Sequence, residues 1–508
     1  MNLLSSTSIF SFFTLISRIL GYFRDILIAF FLGASIFADA FFVAFRLPNT
    51  FRRLFAEGTF NAAFIPSYTS ARIENKTKGK RFADDILGSL LLILILIVTV
   101  VEIFTPYLVL IIAPGFVENS TKFNLAIELT RITFPFLIFI SLSSFFSGIL
   151  NSNNKFAAAA AAPIILNIIL ILSLIISYKL NLNFANQLSY GVTLAGVLQL
   201  VFLFFVTLKF YKPTLTLRLK ANNKVKNFFK KLLPSIFSSG ITQINILIGT
   251  IIASYEAGAV SYLYYADRIY QINLAIAGIA VGTVSLPALS KAFKNRNIKK
   301  LSNIQSKSFE LSLLLSIPAS LGLILASEEI VNSLFGYGSF SEKDVKQTAD
   351  ALKYFGYGVP AFALVKILSN FFFARDNTKT PLYISIFMVI INISISVSLF
   401  ASYGFIIIPI ATSISTWTGV LIYIYLLNEK NSLLLDKKLI PNFIKILAST
   451  IIMSIIMVLL INNYESYLNY SYKFKAIYLL SIVGFVGIVY LLSCYLFGIL
   501  KLKNYKTN

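Results

Sequence analysis

Arg18, Arg24, Arg46, Arg52, Arg53 and Arg268 stand in stretches built otherwise from Phe, Ala, Leu, Ile and Tyr. A guanidinium at the centre of a membrane-spanning helix costs about 2.5 to 3.5 kcal/mol on insertion scales, so such residues face a partner, a wet cavity or a ligand. Between residues 18 and 57 five arginines meet three acids, Asp25, Asp39 and Glu57, which leaves positive charge after internal pairing. Planar forks in excess suit a phosphate or diphosphate, whose oxygens they take two at a time. Structural pairing with Asp39 and Glu57 stays open as the commoner fate of such charge, while snorkelling to an interface is the lesser alternative for Arg18 and Arg24.

Spacing sorts these residues into faces. Ser17, Gly21 and Arg24 lie on one helical face, a small-residue stripe that ends in a guanidinium. At a rise of about 1.5 Å per residue from an entry near residue 9, Arg18 lies roughly 14 Å deep and Arg24 roughly 23 Å deep. Asp39, Arg46 and Arg53 recur every seven residues and share a face, with Asn49 and Arg52 on the next one. Pro48 removes a backbone donor between them and invites a bend. Arg268 shares its face with Ser261, Tyr264, Tyr265 and Gln271.

The elements that carry these faces are spanning helices. The chain is 57% hydrophobic and 13% charged, with a mean hydropathy of +0.80, far from a soluble domain. Apolar runs long enough to cross a bilayer recur near residues 9, 38, 85, 125, 160, 187, 230, 260, 308, 350, 381, 405, 441 and 474, which predicts an all-α polytopic membrane protein of about fourteen spans. The first run lacks a charged leader region and a small-residue cleavage site, so it is expected to be the first span rather than a signal peptide.

Net charge is +23, and its location decides its meaning. The basic loops 72–81, 209–231 and 291–307 all fall on one side of a fourteen-span chain, and the opposite side holds the acidic stretch around Glu328, Glu329, Glu342 and Asp344. That asymmetry predicts cytoplasmic termini, with the lysines serving topology and anionic lipid rather than nucleic acid. With no His and a single Cys, Cys494, imidazole metal sites, histidine relays and disulfide frameworks are excluded, and a metal or covalent enzyme is not expected.

The chain also repeats itself. "GTFNAAFIPSYTSA" is echoed by "GTVSLPALSKA", putting Pro66 and Pro287 221 residues apart; Pro163 and Pro381 are 218 apart, and Arg46 and Arg268 are 222 apart. Three echoes at nearly one offset indicate duplicated six-helix halves in the same orientation, related by an axis along the membrane normal. This gives an N-lobe at 1–215, a C-lobe at 216–430 and a C-terminal helix pair at 431–508, with the binding site expected between the lobes.

The stretches "SRILGYFRD", "ADAFFVAFRLPNTFRRLFAEGTFNAAFIP", "YYADRIYQINLAIAGIAVGTVSLPALSK" and "ARDNTKTPL" resemble the signatures of the MurJ (MviN-type) lipid II flippases, within the multidrug/oligosaccharidyl-lipid/polysaccharide exporter superfamily. The resemblance runs from about residue 5 to the twelfth span. It implies outward transport of undecaprenyl-diphosphate-linked disaccharide-pentapeptide across a bacterial inner membrane for peptidoglycan synthesis, alongside other cell-wall synthesis proteins. It further implies a cavity lined by Arg18, Arg24, Asp39, Asn49, Arg52, Ser261 and Arg268, with Arg46, Arg53, Glu57 and Gln271 as a secondary cavity or gate, and a tail groove formed by the last two helices. Where the family pattern has an acid three residues after the eighth-span arginine, this chain has Gln271. No organic cofactor is expected; coupling to membrane potential or to a monovalent cation is implied, with Gln243, Asn245, Asn370, Asp376 and Asn392 as polar candidates. Helix capping and interhelical hydrogen bonding are the commoner roles for each of those five.

Two rivals make different demands. A cation-coupled drug exporter, or an exporter of another polyprenyl-linked saccharide, belongs to the same superfamily, but drug and cation antiport calls for acids facing the first-lobe cavity rather than an arginine excess. A polyprenyl-phosphate phosphatase or glycosyltransferase calls for a carboxylate cluster or a His or Cys nucleophile.

Overall fold

Apolar runs bounded by Asn, Ser and Gly fold into helices whose ends those residues close. Asn75, Asn119, Asn183 and Asn297 each accept a backbone N–H of the turn they begin, and Ser341 with Asp344 forms a reciprocal capping box. The computed structural model describes residues 3–54, 60–214, 223–436 and 438–500. Glu57 lies outside the described residues.

Every span is helical, and no strand occurs among the described residues. The helices are α1 (Leu3–Leu32), α2 (Ile36–Leu54), α3 (Phe60–Glu74), α4 (Lys76–Ile103), α5 (Thr105–Ile112), α6 (Ser120–Thr133), α7 (Phe136–Ser152), α8 (Phe156–Leu180), α9 (Phe184–Thr207) and α10 (Asn223–Ala253). They continue as α11 (Ala259–Leu274), α12 (Val281–Lys294), α13 (Ile298–Leu325), α14 (Ser327–Phe335), α15 (Glu342–Phe373), α16 (Lys379–Tyr403), α17 (Ile407–Glu429), α18 (Leu439–Asn463), α19 (Glu465–Leu468) and α20 (Lys475–Leu496). Among the described residues ten stretches are long and apolar enough to cross a membrane. One of them, Lys379–Glu429, is two helices that fold onto each other at Gly404, whose φ of 60° favours glycine. With the passages through α1, through α2 and α3, and through α10, the total comes to about fourteen. The chain is an all-α polytopic membrane protein.

Chain contacts divide the protein at Ser261/Tyr262 into two units. In the first, α1 packs on α8, α8 on α9, α9 on α7, α2 on α6 and α3 on both α4 and α7, and the rings of Phe60, Phe64, Phe82, Phe145 and Phe228 meet in stacked, tilted and edge-on pairs. Aromatic burial of this kind dominates a core's energetics, and ring pairs contribute about 0.5 to 1.5 kcal/mol beyond area. Gly115 packs closely against the backbone at the end of α10. A Cβ there would sit 2.4 Å from Tyr255 Cα, and the Gly115 N–H donates to Ser254 Oγ at 3.0 Å. Gly115→Ala is therefore expected to cost about 1 to 3 kcal/mol of stability, read as a lower unfolding midpoint of the purified protein; an unchanged midpoint would show that the 114–118 turn moves aside freely.

In the second unit, α13 packs on α15, α15 on α17 and α18 on both α13 and α20. Tyr490 of α20 donates to the Leu314 carbonyl of α13 at 2.7 Å, and Lys475, fully buried, donates to Asn332 Oδ1, Gly336 O and Tyr470 O at 2.9, 2.6 and 2.7 Å. These bonds fasten the C-terminal helix pair to α13 and α14. The opposite faces of the pair expose Ile451, Ile455, Leu480 and Ile488, as a lipid-facing surface does.

Candidate functional site

Arg24 is 6% exposed in α1. Its Nε and Nη2 donate to Asp25 Oδ1 at 3.0 and 2.6 Å, and its Nη1 donates to Asn167 Oδ1 of α8 at 2.9 Å. The Asn167 amide in turn donates to the Ser17 carbonyl at 2.8 Å, while Gly21 leaves room for that side chain, its would-be Cβ lying 3.5 Å away. Ser17, Gly21 and Arg24 thus meet one residue of α8, Asn167. The charge cost of burying the guanidinium is offset by an ion pair and a neutral acceptor, both of which an anion could replace.

Asp39 is fully buried and carries four bonds. Lys122 Nζ reaches Oδ2 at 2.6 Å and the Gly258 N–H reaches it at 2.9 Å; Oδ1 accepts from the Ser261 N–H at 3.0 Å and the Ser261 hydroxyl at 2.6 Å. A carboxylate from α2 here satisfies the open N–H groups at the start of α11, where the helix dipole also favours negative charge. The cation opposite Asp39 is Lys122 of α6. Asp39 and Ser261 are brought together, with both carboxylate oxygens occupied.

The rest of the α2 cluster is half-buried. Arg52 Nε donates to Asn49 Oδ1 at 3.0 Å, joining two residues of the face next to Asp39, and Arg46 and Arg53 are likewise half-buried. α2 runs unbroken through Pro48. Arg18 is exposed on α1, one position off the Ser17 to Arg24 stripe.

In the second unit Arg268 is half-buried, donates from Nη2 to the Tyr264 hydroxyl at 2.8 Å and lies 4.7 Å from the Tyr264 ring centroid. Gln271 donates to Asp267 one turn earlier, so the carboxylate on this stretch of α11 belongs to Asp267. Tyr265 turns away from Arg268 and packs on Phe335 and Phe340. Immediately after α11, Ala275–Ala280 forms a π-helical turn. Asn370 donates to the Gly282 carbonyl at 2.7 Å, and Asn392 donates to Thr412 Oγ1 at 2.8 Å, so both tie helices together. Asp376 is exposed in the turn after α15 with φ at 58°, and Gln243 and Asn245 are half-buried on α10 of the first unit. Among the described residues no group of three or more Cys, Asp or Glu side chains could hold a metal ion.

Sequence reasoning did not single out Lys122 and Asn167, the partners of Asp39 and Arg24. The one available signal was an ionisable or amide side chain close to or inside an apolar run, in "NSTKFNLAI" and "PIILNIIL".

Residues 28–501 match the family described as lipid II flippase MurJ. A protein of Rickettsia prowazekii, named probable lipid II flippase MurJ, is 38% identical over the whole of both chains, and one of Rhizobium tropici with the same name is 37% identical over 94% of this chain and 90% of its own. A solved structure described as lipid II flippase MurJ, inward closed conformation, superposes with a TM-score of 0.82 at 27% identity, covering 96% of this chain and 98% of its own. An inward-facing multidrug resistance MATE family transporter of the MOP superfamily shares the fold alone, with a TM-score of 0.65 at 16% identity over 82% of this chain and 95% of its own. With a buried guanidinium on α1, an all-helical membrane-spanning architecture and whole-length relatives of one kind, the chain belongs to the MurJ lipid II flippase family.

Proposed function

We propose that this protein flips lipid II, carrying undecaprenyl-diphosphate-linked disaccharide-pentapeptide from the cytoplasmic to the periplasmic leaflet of a bacterial inner membrane by alternating access, for peptidoglycan synthesis. The observation that carries the reading is Arg24: a buried guanidinium whose every hydrogen-bonded N–H goes to a group that a phosphate oxygen can replace. Diphosphate oxygens compete with Asp25 for Nε and Nη2 and with Asn167 for Nη1, where contact to a charged oxygen is stronger than contact to a neutral amide. The saccharide and peptide cross in the shelter of polar walls while the prenyl tail stays in lipid, in a groove of the helix pair within 431–508. Arg18, Asn49, Arg52 and Arg268 complete the phosphate-binding set. Asp39 and Ser261 act where α2 meets α11, and Arg46, Arg53, Glu57 and Gln271 serve as the secondary cavity or gate. The reading requires no covalent step and no nucleic acid; membrane lipids and other cell-wall synthesis proteins are its surroundings. A monovalent cation or the membrane potential supplies the drive.

Depleting the protein in its host tests this. Intact lipid II is expected to accumulate on the cytoplasmic leaflet, protected from an external enzyme that cleaves it; unchanged exposure of lipid II with continued growth would overturn the proposal. Orientation is tested separately. In a Cys494→Ser background, Lys78→Cys and Lys299→Cys should resist an external impermeant thiol reagent and Ser341→Cys should react, all three positions being exposed. Reversed labelling would invert the assigned direction of transport.

A further inference from the structure

At one end of the first unit, a cavity of about 660 Å3 opens between the start of α8 and the end of α9. Its polar lining is Asn154, Lys155 and Lys209, and its apolar lining includes Phe156, Phe205 and Phe210. Among the described residues no carboxylate lines it. The polar and apolar parts are ordered by depth. Lys155 precedes the first residue of α8, Lys209 lies two residues past the last residue of α9, and both are exposed. Phe156 and Phe205 belong to the adjoining terminal turns of those spans, one step further into the hydrocarbon.

The cavity lies at the end of the unit that bears the basic loops. Arg72, at the head of the 72–81 loop, donates to Asn153 Oδ1 at 2.5 Å, and Lys209 itself begins the 209–231 loop. Asn154 has a φ of 60°, and the Lys155 N–H returns to the Leu150 carbonyl at 2.9 Å, so the turn into α8 is fixed by its own hydrogen bonds. No side chain caps α8, so the N–H groups of its first turn add to the positive field of the two ammonium groups.

We infer that this cavity binds an anionic glycerophospholipid of the leaflet on the basic-loop side, with its phosphate between Lys155 and Lys209 and an acyl chain along Phe156 and Phe205. The occupant is specified by charge and by depth together. A free phosphate leaves the aromatic wall uncovered, and a zwitterionic lipid gains little from two ammonium groups with no carboxylate beside them. The cavity volume of about 660 Å3 lies within the range of small-molecule pockets, roughly 300 to 1,000 Å3. This site is separate from the arginine set and does not depend on what that set carries.

The test uses the purified full chain, stripped of lipid, in native mass spectrometry with dioleoyl phosphatidylglycerol and dioleoyl phosphatidylcholine as probes. Phosphatidylglycerol should bind about tenfold more tightly than phosphatidylcholine, and the double change Lys155→Gln, Lys209→Gln should remove that preference. The control pair Lys294→Gln, Lys299→Gln, in an exposed basic segment of the second unit, should leave it intact. A tryptophan at Phe205 in a Trp417→Phe background, where it is the only Trp, should be quenched by phosphatidylglycerol brominated near the headgroup end of its chains. Equal affinity for the two lipids, an unchanged preference in the Lys155/Lys209 variant, absent quenching, or displacement of the lipid by millimolar inorganic phosphate would each overturn the inference.

Discussion

Alanine at Arg24 or at Arg268 abolishes support of cell-wall growth in depleted cells, while each variant still reaches the membrane at the normal level. Arg24→Ala removes three hydrogen bonds at once and takes the cation from Asp25, which is 2% exposed. Removing one partner of a buried pair costs about 3 to 5 kcal/mol, so membrane level and unfolding midpoint have to be read beside growth. Lysine variants separate function from fold. Lys keeps the charge but not the fork, and losing one charge-assisted hydrogen bond of about 1.5 to 3 kcal/mol weakens lipid II binding by about tenfold or more. Arg24→Lys and Arg268→Lys are therefore expected to be impaired and Arg46→Lys tolerated. Equal lipid II affinity in wild type and in the two impaired candidates would leave those arginines only an electrostatic role, and normal growth of both alanine variants would remove the diphosphate cradle altogether.

Breaking the bond set around Asp39 has the largest expected effect on stability. Asp39→Ala leaves Lys122, 5% exposed, without its carboxylate and strips the acceptor from the Gly258 N–H and both Ser261 donors. The expected loss is about 3 to 5 kcal/mol, against about 1.5 to 3 kcal/mol for Ser261→Ala, which removes a single bond to charge. Asp39→Asn and Lys122→Met alone are each destabilising, since each leaves one buried charge without its partner. The double change Asp39→Asn, Lys122→Met should recover part of the summed loss, because it leaves no unpaired charge. Unfolding midpoints in detergent check the series; strict additivity of the two single changes would mean that the pair is not coupled.

Much of this was readable in the chain. The number of spans and the stripe of Ser17, Gly21 and Arg24 follow from composition and helical period, which are local properties. The partners were not readable, because Asn167 lies 143 residues from Arg24 and Lys122 lies 83 from Asp39, and no period connects residues on different helices. The seven-residue spacing of Asp39, Arg46 and Arg53 identified a shared face correctly but could not say that a lysine of α6 would take the acid. Similarly, Ser261 and Arg268 lie on one face of α11, yet Ser261 bonds to Asp39 and Arg268 to Tyr264. A face gives direction, and the neighbours decide what is met.

The wide turn at Ala275–Ala280 stores one residue of helical phase. An α-helix advances about 100° per residue, so a single π-turn sets every side chain from Val281 onward, including Pro287 and the Gly282 that receives Asn370, about 100° out of register with Arg268. Removing one residue from this turn, for instance deleting Ala277, would restore an unbroken α-period by rotating the remainder of the span instead of shortening it. The length and hydropathy of the passage would hardly change, but the azimuth linking its two halves would be lost.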